Sequence, residues 1–307
     1  MTTIAIVGVG EIARNAHRPA IDASDRFELV ATASRSNTLD GIAAYPSLEA
    51  LLAGVRPDAV ALTAPPEPRF DMAMAAINAG LHVALEKPPG LTLSEVAMLE
   101  AAARKNGVTL FATWHSRFAP AVAPLKTALA GATVERVDVV WQEDVNEFHP
   151  GQTWIFDPGG FGVFDPGINA LSVLTEVLPE PMRMVSADLA VPPGKAEPVE
   201  ANLSAKLLGG APVALAFDFL AIGAPTWTIT VTSNRGVHTL TGGGTRLDHD
   251  GATLLDEPQA EYKLVYEAFG ALIDAGASDV DVAPLRHVAD AKLLARHRVG
   301  PRVDGTG

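Results

Sequence analysis

The segment that most constrains the fold lies near the start of the chain, where a short strand-like run meets a glycine-rich turn. Residues 3–7 are largely apolar and predict a buried β-strand, and residues 8–13 read GVGEIA, the G-x-G-x-x-A form of the dinucleotide-binding motif. Gly8 permits the tight turn, Gly10 lets the backbone approach a pyrophosphate, and the small Ala13 lets the following helix pack on the strand. An ordinary glycine turn is the alternative, but the strand–turn–helix context is the one that nucleotide binding requires.

Strand-like and helix-like segments then alternate up to about residue 118. Apolar runs typical of strands cover 27–33, 59–64, 82–86 and 108–113, and patterns typical of helices cover 47–53, 69–79 and 92–106. Alternating strands and helices imply a parallel sheet with crossover helices on its faces. The sequence therefore predicts a dinucleotide-binding Rossmann domain over residues 1–118.

The second half of the chain has a different pattern. A helix over 120–130, a strand over 134–143 and a helix over 165–178 surround a loop rich in Gly, Pro and Trp. Five alternating segments then predict strands of an antiparallel sheet, at 184–191, 201–208, 213–221, 227–232 and 236–241. Helices over 261–276 and 284–297 follow, and the tail from Arg302 is expected to fray. The predicted fold class is α/β, with an N-terminal Rossmann parallel sheet and a C-terminal α+β domain over 119–307 whose large sheet is mostly antiparallel.

Composition excludes several classes of protein. The formal net charge of −13 argues against nucleic acid or an anionic membrane as partner, and the apolar runs are too short to span a bilayer. The start of the chain lacks a signal-peptide pattern, so a cytoplasmic location is expected. Cysteine is absent from the sequence and the eight histidines form no i, i+4 pair beside acidic residues, so we expect no metal site.

The residues after the second strand predict the choice of cofactor. A carboxylate there would bind the ribose 2′-hydroxyl of NAD, but this chain has Ser34 and Arg35, and its first acid is Asp40. An arginine and a hydroxyl suit a 2′-phosphate. A solvated surface arginine is the alternative. We therefore predict NADP as the preferred cofactor, with NAD as a second cofactor that could be accepted.

The predicted ligand edge of the sheet carries a lysine. Residues 86–90 read EKPPG and follow the strand at 82–86, so Lys87 lies at the carboxyl end of a strand, where ligands bind in open α/β sheets. Most loop lysines are only solvated. Lys87 becomes a candidate because of the motifs on either side of it.

A two-domain chain predicts a cleft, and several polar or aromatic residues are candidates to face it. Asp165 and Asn169 are four apart on one predicted helix and so share a face. Simpler roles remain open: Asp165 could cap the helix, His115 could be a satisfied buried histidine, and Trp154 could be core packing. The other candidates are Glu143, Asp144 and His149.

Taken together, these motifs resemble the glucose–fructose oxidoreductase and inositol dehydrogenase family over the whole chain. The resemblance is carried by GVGEIA at 8–13, EKP at 86–88 and GVFDPGINAL at 162–171. Longer runs, LEKPPG at 85–90, FATWHSR at 111–117, HPGQ at 149–152 and SDVDV at 278–282, are similar to its branch of bacterial L-arabinose and D-galactose 1-dehydrogenases.

That resemblance implies an NAD(P)-dependent aldose 1-dehydrogenase that oxidises C1 of L-arabinose, D-galactose or D-fucose to a lactone, with L-arabinose the first expectation. Many family members have a proton-transferring histidine where this chain has Asn169, so acid/base work is carried over to Asp165, and Lys87 binds the C1 hydroxyl. The implied sugar-binding residues are His115, Glu143, His149, Trp154 and Asn169. The candidate cofactor-binding residues are Gly8, Gly10, Glu11, Ile12, Ser34, Arg35, Ala64, Pro65, Pro66, Glu86, Lys87, His115 and Arg117. Relatives also suggest a homodimer through the C-terminal sheet.

Two other functions remain open. An inositol or other polyol dehydrogenase of the same family would oxidise a secondary alcohol of a ring, and Asn169 counts against it. A sugar-responsive regulator that binds NADP without catalysis would keep the glycine motif but would not need Lys87, Asp165 and Asn169 together.

Overall fold

The computed structural model describes residues 1–303, and the chain divides into two compact units. The first unit contains Met1–His115 and Ala260–Val282, and the second contains Ser116–Gln259 and the chain from Ala283 onward. Residues 304–307, which belong to the tail expected to fray, lie outside the described residues.

The strands and helices of the described chain follow the predicted order. The strands are β1 Thr2–Val7, β2 Phe27–Ala33, β3 Ala43–Tyr45, β4 Ala59–Leu62, β5 His82–Glu86, β6 Leu110–Thr113, β7 Val134–Gln142, β8 Met182–Val191, β9 Glu200–Leu207, β10 Pro212–Asp218, β11 Thr226–Ser233, β12 Gly236–Thr241, β13 Arg246–His249, β14 Ala252–Asp256 and β15 Ala295–Val299. The α-helices are α1 Arg18–Asp22, α2 Leu48–Gly54, α3 Pro66–Asn78, α4 Leu93–Asn106, α5 Val122–Leu129, α6 Val145–Phe148, α7 Phe164–Val177, α8 Glu261–Ala275 and α9 Ala283–Leu294. A π-helical turn, Ala13–His17, leads directly into α1, and 3₁₀ turns cover His115–Phe118 and Thr153–Phe156.

The first unit is built on a parallel sheet. Its strand order over the described residues is β3-β2-β1-β4-β5-β6, and neighbouring strands run parallel. The order reverses at β1, which pairs with β2 on one side and β4 on the other. Such a switch point places a ligand crevice at the carboxyl ends of these strands, beside the turn that begins at Gly8.

Helix α8 packs with the first unit, although the sequence analysis placed its residues in the domain 119–307. Phe269 of α8 stacks on Phe27 and Phe111, with ring centroids 5.6 and 5.9 Å apart. The amphipathic pattern of α8 predicts a helix with one buried face, but it carries no information about which core that face joins.

The second unit is built on a nine-stranded sheet within the described residues, in the order β14-β13-β12-β11-β7-β10-β9-β8-β15. Its pairs are antiparallel except β10 with β7 and β15 with β8. A Rossmann sheet followed by a mostly antiparallel sheet confirms the predicted fold class. Helix α7 crosses this sheet closely: a side chain at Gly167 would lie 2.6 Å from the ring of Phe217 on β10.

The sequence analysis was wrong about the end of the last helix, which stops at Leu294 and not near 297. Residues 295–299 form β15, whose backbone pairs with β8. Without β15, β8 would present a row of unpaired N–H and C=O groups at the sheet edge. The need of these groups for hydrogen-bond partners overrides the local helical pattern of residues 295–297. The short strands β3, β13 and β14 were also missed.

Candidate active site

The glycine turn of the first unit has the shape that a dinucleotide requires. Gly8 has φ of +98°, and a Cβ there would lie 2.5 Å from the backbone nitrogen of Ala64, so only glycine fits between the turns after β1 and β4. Gly10 is exposed, and a Cβ there would meet nothing within 4 Å. The crowded first glycine and the open second one therefore fit the cofactor predicted for this turn.

The loop after β2 is fastened to the same turn. Asn37 donates from its amide to the carbonyl of Val9 at 2.9 Å, and Ser34 donates from its backbone to Tyr45 at 3.0 Å. Arg35 lies between these two anchors and is exposed. Arg35 thus lies on a loop that is fastened to the nucleotide turn, and its recognition of a 2′-phosphate stays a prediction.

Arg69 fixes the backbone on both sides of Lys87. This buried side chain donates to the carbonyl of Glu86 at 2.5 Å and to the carbonyl of Pro88. It also donates twice to the carbonyl of Ala64, at 2.6 and 3.1 Å. One guanidinium therefore holds together the loops that follow β4 and β5, and half-buried Lys87 lies between two of its contacts.

The buried carboxylate of Glu86, the residue before Lys87, is surrounded by several hydrogen-bond donors. Oε1 of Glu86 lies 2.9 Å from Nε2 of His17, 3.0 Å from the hydroxyl of Thr113 and 2.8 Å from that of Tyr262. Oε2 accepts the backbone N–H of Lys87 at 3.0 Å. Burial raises the pKa of Glu86, but the hydrogen bonds that its carboxylate accepts, that of His17 first, hold that pKa well below its usual range.

His115 is also part of the first unit. Its Nδ1 lies 3.0 Å from Oε2 of Glu261, and its ring stacks on Tyr262 with centroids 5.4 Å apart. Helix α8 therefore supplies these two partners of His115. The sequence left open that His115 is a satisfied buried histidine. The structure gives its ring hydrogen-bonding and stacking partners, but the side chain is only half-buried.

In the second unit, Asp165 lies in the first turn of α7 and is buried. The helix is capped by Val163, without a side-chain hydrogen bond, so Asp165 is not the capping residue that the sequence left as an alternative. A carboxylate in a first turn is stabilised by the positive end of the helix dipole. Asn169 follows one turn later and is half-buried.

Three of the predicted site residues meet around one imidazole. Nε2 of His149 lies 3.5 Å from Oε1 of Glu143 and 3.7 Å from Oδ2 of Asp165. Both carboxylates are buried, whereas the histidine is half-buried. Oε2 of Glu143 accepts the indole N–H of Trp227 at 2.8 Å. Carboxylates and an imidazole at these distances form a polar cluster suited to binding hydroxyl groups and moving protons.

The remaining predicted residues lie elsewhere on this framework. Trp154 is half-buried on the 3₁₀ turn Thr153–Phe156. Arg117, expected at the cofactor, donates to the backbone of Ser172 at 3.0 Å and the hydroxyl of Thr175 at 2.9 Å, so it is fastened to α7. Its role at the cofactor stays a prediction, as do the roles of Glu11 and Ile12, which are exposed after Gly10.

Several residues of these networks carried no recognisable signal in the sequence. Arg69, His17, Tyr262 and Trp227 look like ordinary helix and strand residues, and their partners are distant in the chain. The one usable hint is chemical: a buried arginine or tryptophan N–H must find an acceptor.

The first unit has a dinucleotide-binding Rossmann fold, and comparison with known proteins agrees. A family model described as an oxidoreductase family with an NAD-binding Rossmann fold matches residues 2–113. The chain is 39% identical over 289 residues to a galactose 1-dehydrogenase of Pseudomonas fluorescens, covering 94% of both proteins. The crystal structure of a D-galactose-1-dehydrogenase protein from Rhizobium etli has a TM-score of 0.93 and 47% identity, covering 98% of this chain and 97% of that one.

This chain belongs to the Gfo/Idh/MocA oxidoreductase family, which confirms the resemblance found in the sequence. A 3-ketoreductase of Actinomadura kijaniata, solved with NADP, has a TM-score of 0.82 at 18% identity, a likeness of fold. Among residues 1–303, the structure has no helix long and apolar enough to cross a membrane. The same residues contain no group of three or more His, Asp or Glu side chains arranged to hold a metal ion.

Proposed function

We propose that this protein is an NADP-dependent aldose 1-dehydrogenase. The observation that carries the proposal is the cluster of Asp165, Glu143 and His149, because it brings the expected base together with two expected sugar-binding residues. The similarity to two galactose 1-dehydrogenases along nearly the whole chain supports the same reaction class.

In the proposed mechanism, Asp165 acts as a carboxylate base. It accepts the proton of the C1 hydroxyl while the C1 hydrogen leaves as hydride, so that C1 becomes the carbonyl carbon of a lactone. NADP⁺, when bound at the Gly8 turn, supplies the hydride acceptor at C4 of its nicotinamide. A positioned base contributes roughly 10²–10⁴-fold to the rate of such a step.

Lys87 has the second role at the reacting carbon. Its ammonium donates a hydrogen bond to the C1 oxygen and places a positive charge beside it, which favours the alkoxide character that develops as the proton departs. The backbone contacts of Arg69 at Glu86 and Pro88 support this role, because a reacting group must be held in place to act efficiently.

The sugar is recognised by its hydroxyl groups. We assign this function to His115, Glu143, His149 and Asn169, and we assign the cover of an apolar sugar face to Trp154. A site built from buried polar groups discriminates against epimers that leave those groups unpaired. D-Galactose and L-arabinose share their configuration at C2, C3 and C4, so we propose both as substrates, with D-fucose as a third.

Three further features complete the proposal. Arg35 and Ser34 favour NADP over NAD because they offer donors to a 2′-phosphate. The nine-stranded sheet supplies the surface through which two copies would form a homodimer. We also propose that this reaction on a free monosaccharide takes place in the cytoplasm.

The first experiment compares initial rates of NADP⁺ and NAD⁺ reduction with D-galactose, L-arabinose, D-xylose and myo-inositol. Asp165→Asn and Lys87→Met are measured beside the exposed controls Asp188→Asn and Lys105→Met. We expect turnover of the first two sugars, a loss of at least about 100-fold in the first pair of variants, and unchanged rates in the controls.

Two results would replace the proposal with another function. Turnover of myo-inositol alone would indicate a dehydrogenase of ring secondary alcohols. Tight binding of NADP⁺ without oxidation of any sugar or polyol would indicate a regulator.

A further inference from the structure

A chain of two hydrogen bonds runs from the helical turn after the dinucleotide motif to the loop that carries Lys87. His17 lies at the end of the π-helical turn Ala13–His17 and is 1% exposed. Its Nε2 is 2.9 Å from Oε1 of Glu86, and Oε2 of Glu86 accepts the backbone N–H of Lys87 at 3.0 Å. Two hydrogen bonds therefore separate His17 from the backbone of the proposed reacting lysine.

The hydrogen positions in these hydrogen bonds can be assigned by starting from Glu86. The ionised carboxylate of Glu86 can only accept, so Nε2 of His17 carries a hydrogen. Nδ1 of His17 lies 2.7 Å from the hydroxyl of Tyr266, and burial and the charge of Glu86 hold the pKa of Tyr266 well above its usual range. Tyr266 therefore keeps its proton and can donate it to Nδ1, while Nε2 donates to Glu86.

The ring of His17 is fixed by packing as well as by hydrogen bonds. It meets Tyr262 edge-on at 4.8 Å and Tyr266 edge-on at 5.8 Å. Both tyrosines belong to α8, and Tyr262 also donates to Glu86 at 2.8 Å. The π-helical turn Ala13–His17, helix α8 and the loop that carries Lys87 thus meet at the carboxylate of Glu86.

A buried carboxylate is held in place by its hydrogen-bond donors, and the loss of one donor weakens that hold. In Glu86, three donors surround Oε1, whereas Oε2 is the oxygen that caps the backbone of Lys87. Loss of one Oε1 donor would therefore let the carboxylate rotate and release the N–H of Lys87.

We infer that His17 is a positioning residue of the proposed reaction, which orients Lys87 by holding the Glu86 carboxylate against the Lys87 backbone. It touches neither sugar nor cofactor in this role. The inference rests on the proposed function and adds His17 to it, a residue distant in sequence from Lys87. His17 lies where the π-helical turn Ala13–His17 meets the loop that carries Lys87. The competing interpretation is that His17 is a buried histidine that stabilises the fold and nothing more.

The kinetic test combines His17→Ala, Glu86→Gln and the double variant. If His17 acts through Glu86, His17→Ala lowers kcat about tenfold in the native background but less than about threefold in the Glu86→Gln background. In His17→Ala, the KM values for sugar and NADP⁺ should change less than about threefold, since His17 is not among the residues assigned to bind either of them. Equal losses in both backgrounds would overturn the inference.

Two further variants separate positioning from stability. His17→Gln keeps an N–H for Glu86 and an acceptor for Tyr266, and should restore kcat to within about threefold of the native value. His238→Ala removes another buried histidine, on β12 of the second unit, and should leave kcat unchanged. A loss of kcat in His238→Ala as large as that in His17→Ala would mean that the effect is merely structural and would overturn the inference.

An experiment without sugar distinguishes failure of this inference from failure of the proposed function. Amide hydrogen exchange of Lys87, measured by NMR, should accelerate at least about tenfold in His17→Ala while the amides of 83–85 in β5 stay protected. An unchanged Lys87 amide would overturn the inference even in an active dehydrogenase. Native protein that oxidises no aldose would refute the proposed function, and the exchange data would still decide whether His17 positions Lys87.

Discussion

The indole N–H of Trp227 donates a 2.8 Å hydrogen bond to the buried carboxylate of Glu143. Trp227 lies on β11 and Glu143 follows β7, the neighbouring strand in the sheet. The bond fixes one carboxylate oxygen, so the other is directed towards His149, 3.5 Å away.

Trp227→Phe tests this relationship, because it removes the N–H and retains an aromatic ring. We expect the KM for D-galactose to rise by about three- to tenfold, since the net contribution of a typical hydrogen bond is about 0.5–1.5 kcal/mol. The KM for NADP⁺ should not change. Trp114→Phe is the control, because it removes a comparable indole bond, to the backbone of Asp281 in the first unit. A sugar KM that is the same in both variants would contradict the assignment of Glu143.

Arg35→Ala tests the choice of cofactor. The exposed guanidinium has a 2′-phosphate to bind in NADP⁺ and none in NAD⁺, so kcat/KM for NADP⁺ should fall about 10- to 100-fold while that for NAD⁺ stays within about twofold. Arg104→Ala, at an exposed arginine of α4, should affect neither. Equal losses with both cofactors would show that Arg35 does not read the phosphate.

Arg69→Met tests the anchor of the lysine loop. The substitution leaves the buried carbonyls of Ala64, Glu86 and Pro88 without their shared donor, and each unsatisfied group is costly. Urea unfolding should report a free energy of unfolding lower by about 2–5 kcal/mol. The exposed Arg104→Met should change it by less than about 0.5 kcal/mol, and a similarly small effect of Arg69→Met would mean that the loop is held by other contacts.

The pKa of Glu86 predicts a pH dependence of stability. Burial opposes ionisation, but the donors around the carboxylate, His17 first, bring the pKa below the ordinary value of 4.5, so the folded state binds fewer protons than the unfolded state. The stabilisation by ionised Glu86 is therefore complete above the ordinary value and is lost as the pH falls towards the lower, folded-state value.

The measurement is the free energy of unfolding of the native protein and of Glu86→Gln over a pH series. The difference between the two should be constant near neutral pH and should shrink between about pH 5 and about pH 3. Glu28→Gln, at an exposed position of β2, serves as the matched control. A difference that grows on acidification would contradict the sign of the pKa shift.

The fold could be predicted from the sequence wherever local chemistry decides it. Thr92 caps α4 and Gly107 ends it in a left-handed conformation, and both residues mark these boundaries in the sequence. Strand β15 could not be predicted, because its backbone bonds to β8 form between residues about a hundred positions apart and leave its side chains mostly exposed.

The candidate site divides in the same way. Lys87, Asp165 and Asn169 stand in short motifs, and the cluster of Glu143, His149 and Asp165 brings together residues that the family resemblance had selected. The hydrogen bonds of Arg69 to Glu86, of His17 to Glu86 and of Trp227 to Glu143 span 17, 69 and 84 positions, and no spacing rule connects these pairs. Long-range hydrogen bonds therefore mark the limit of what the motifs predict.

The central claim is that hydride leaves from C1 of an aldose, and transfer of deuterium tests it most directly. Native protein is incubated with NADP⁺ and D-galactose deuterated at C1, and the reduced cofactor is examined by NMR and mass spectrometry. We predict that the deuterium appears at C4 of the nicotinamide and that galactonolactone accumulates. Reduced cofactor without deuterium would place the oxidation at another carbon and would contradict the account.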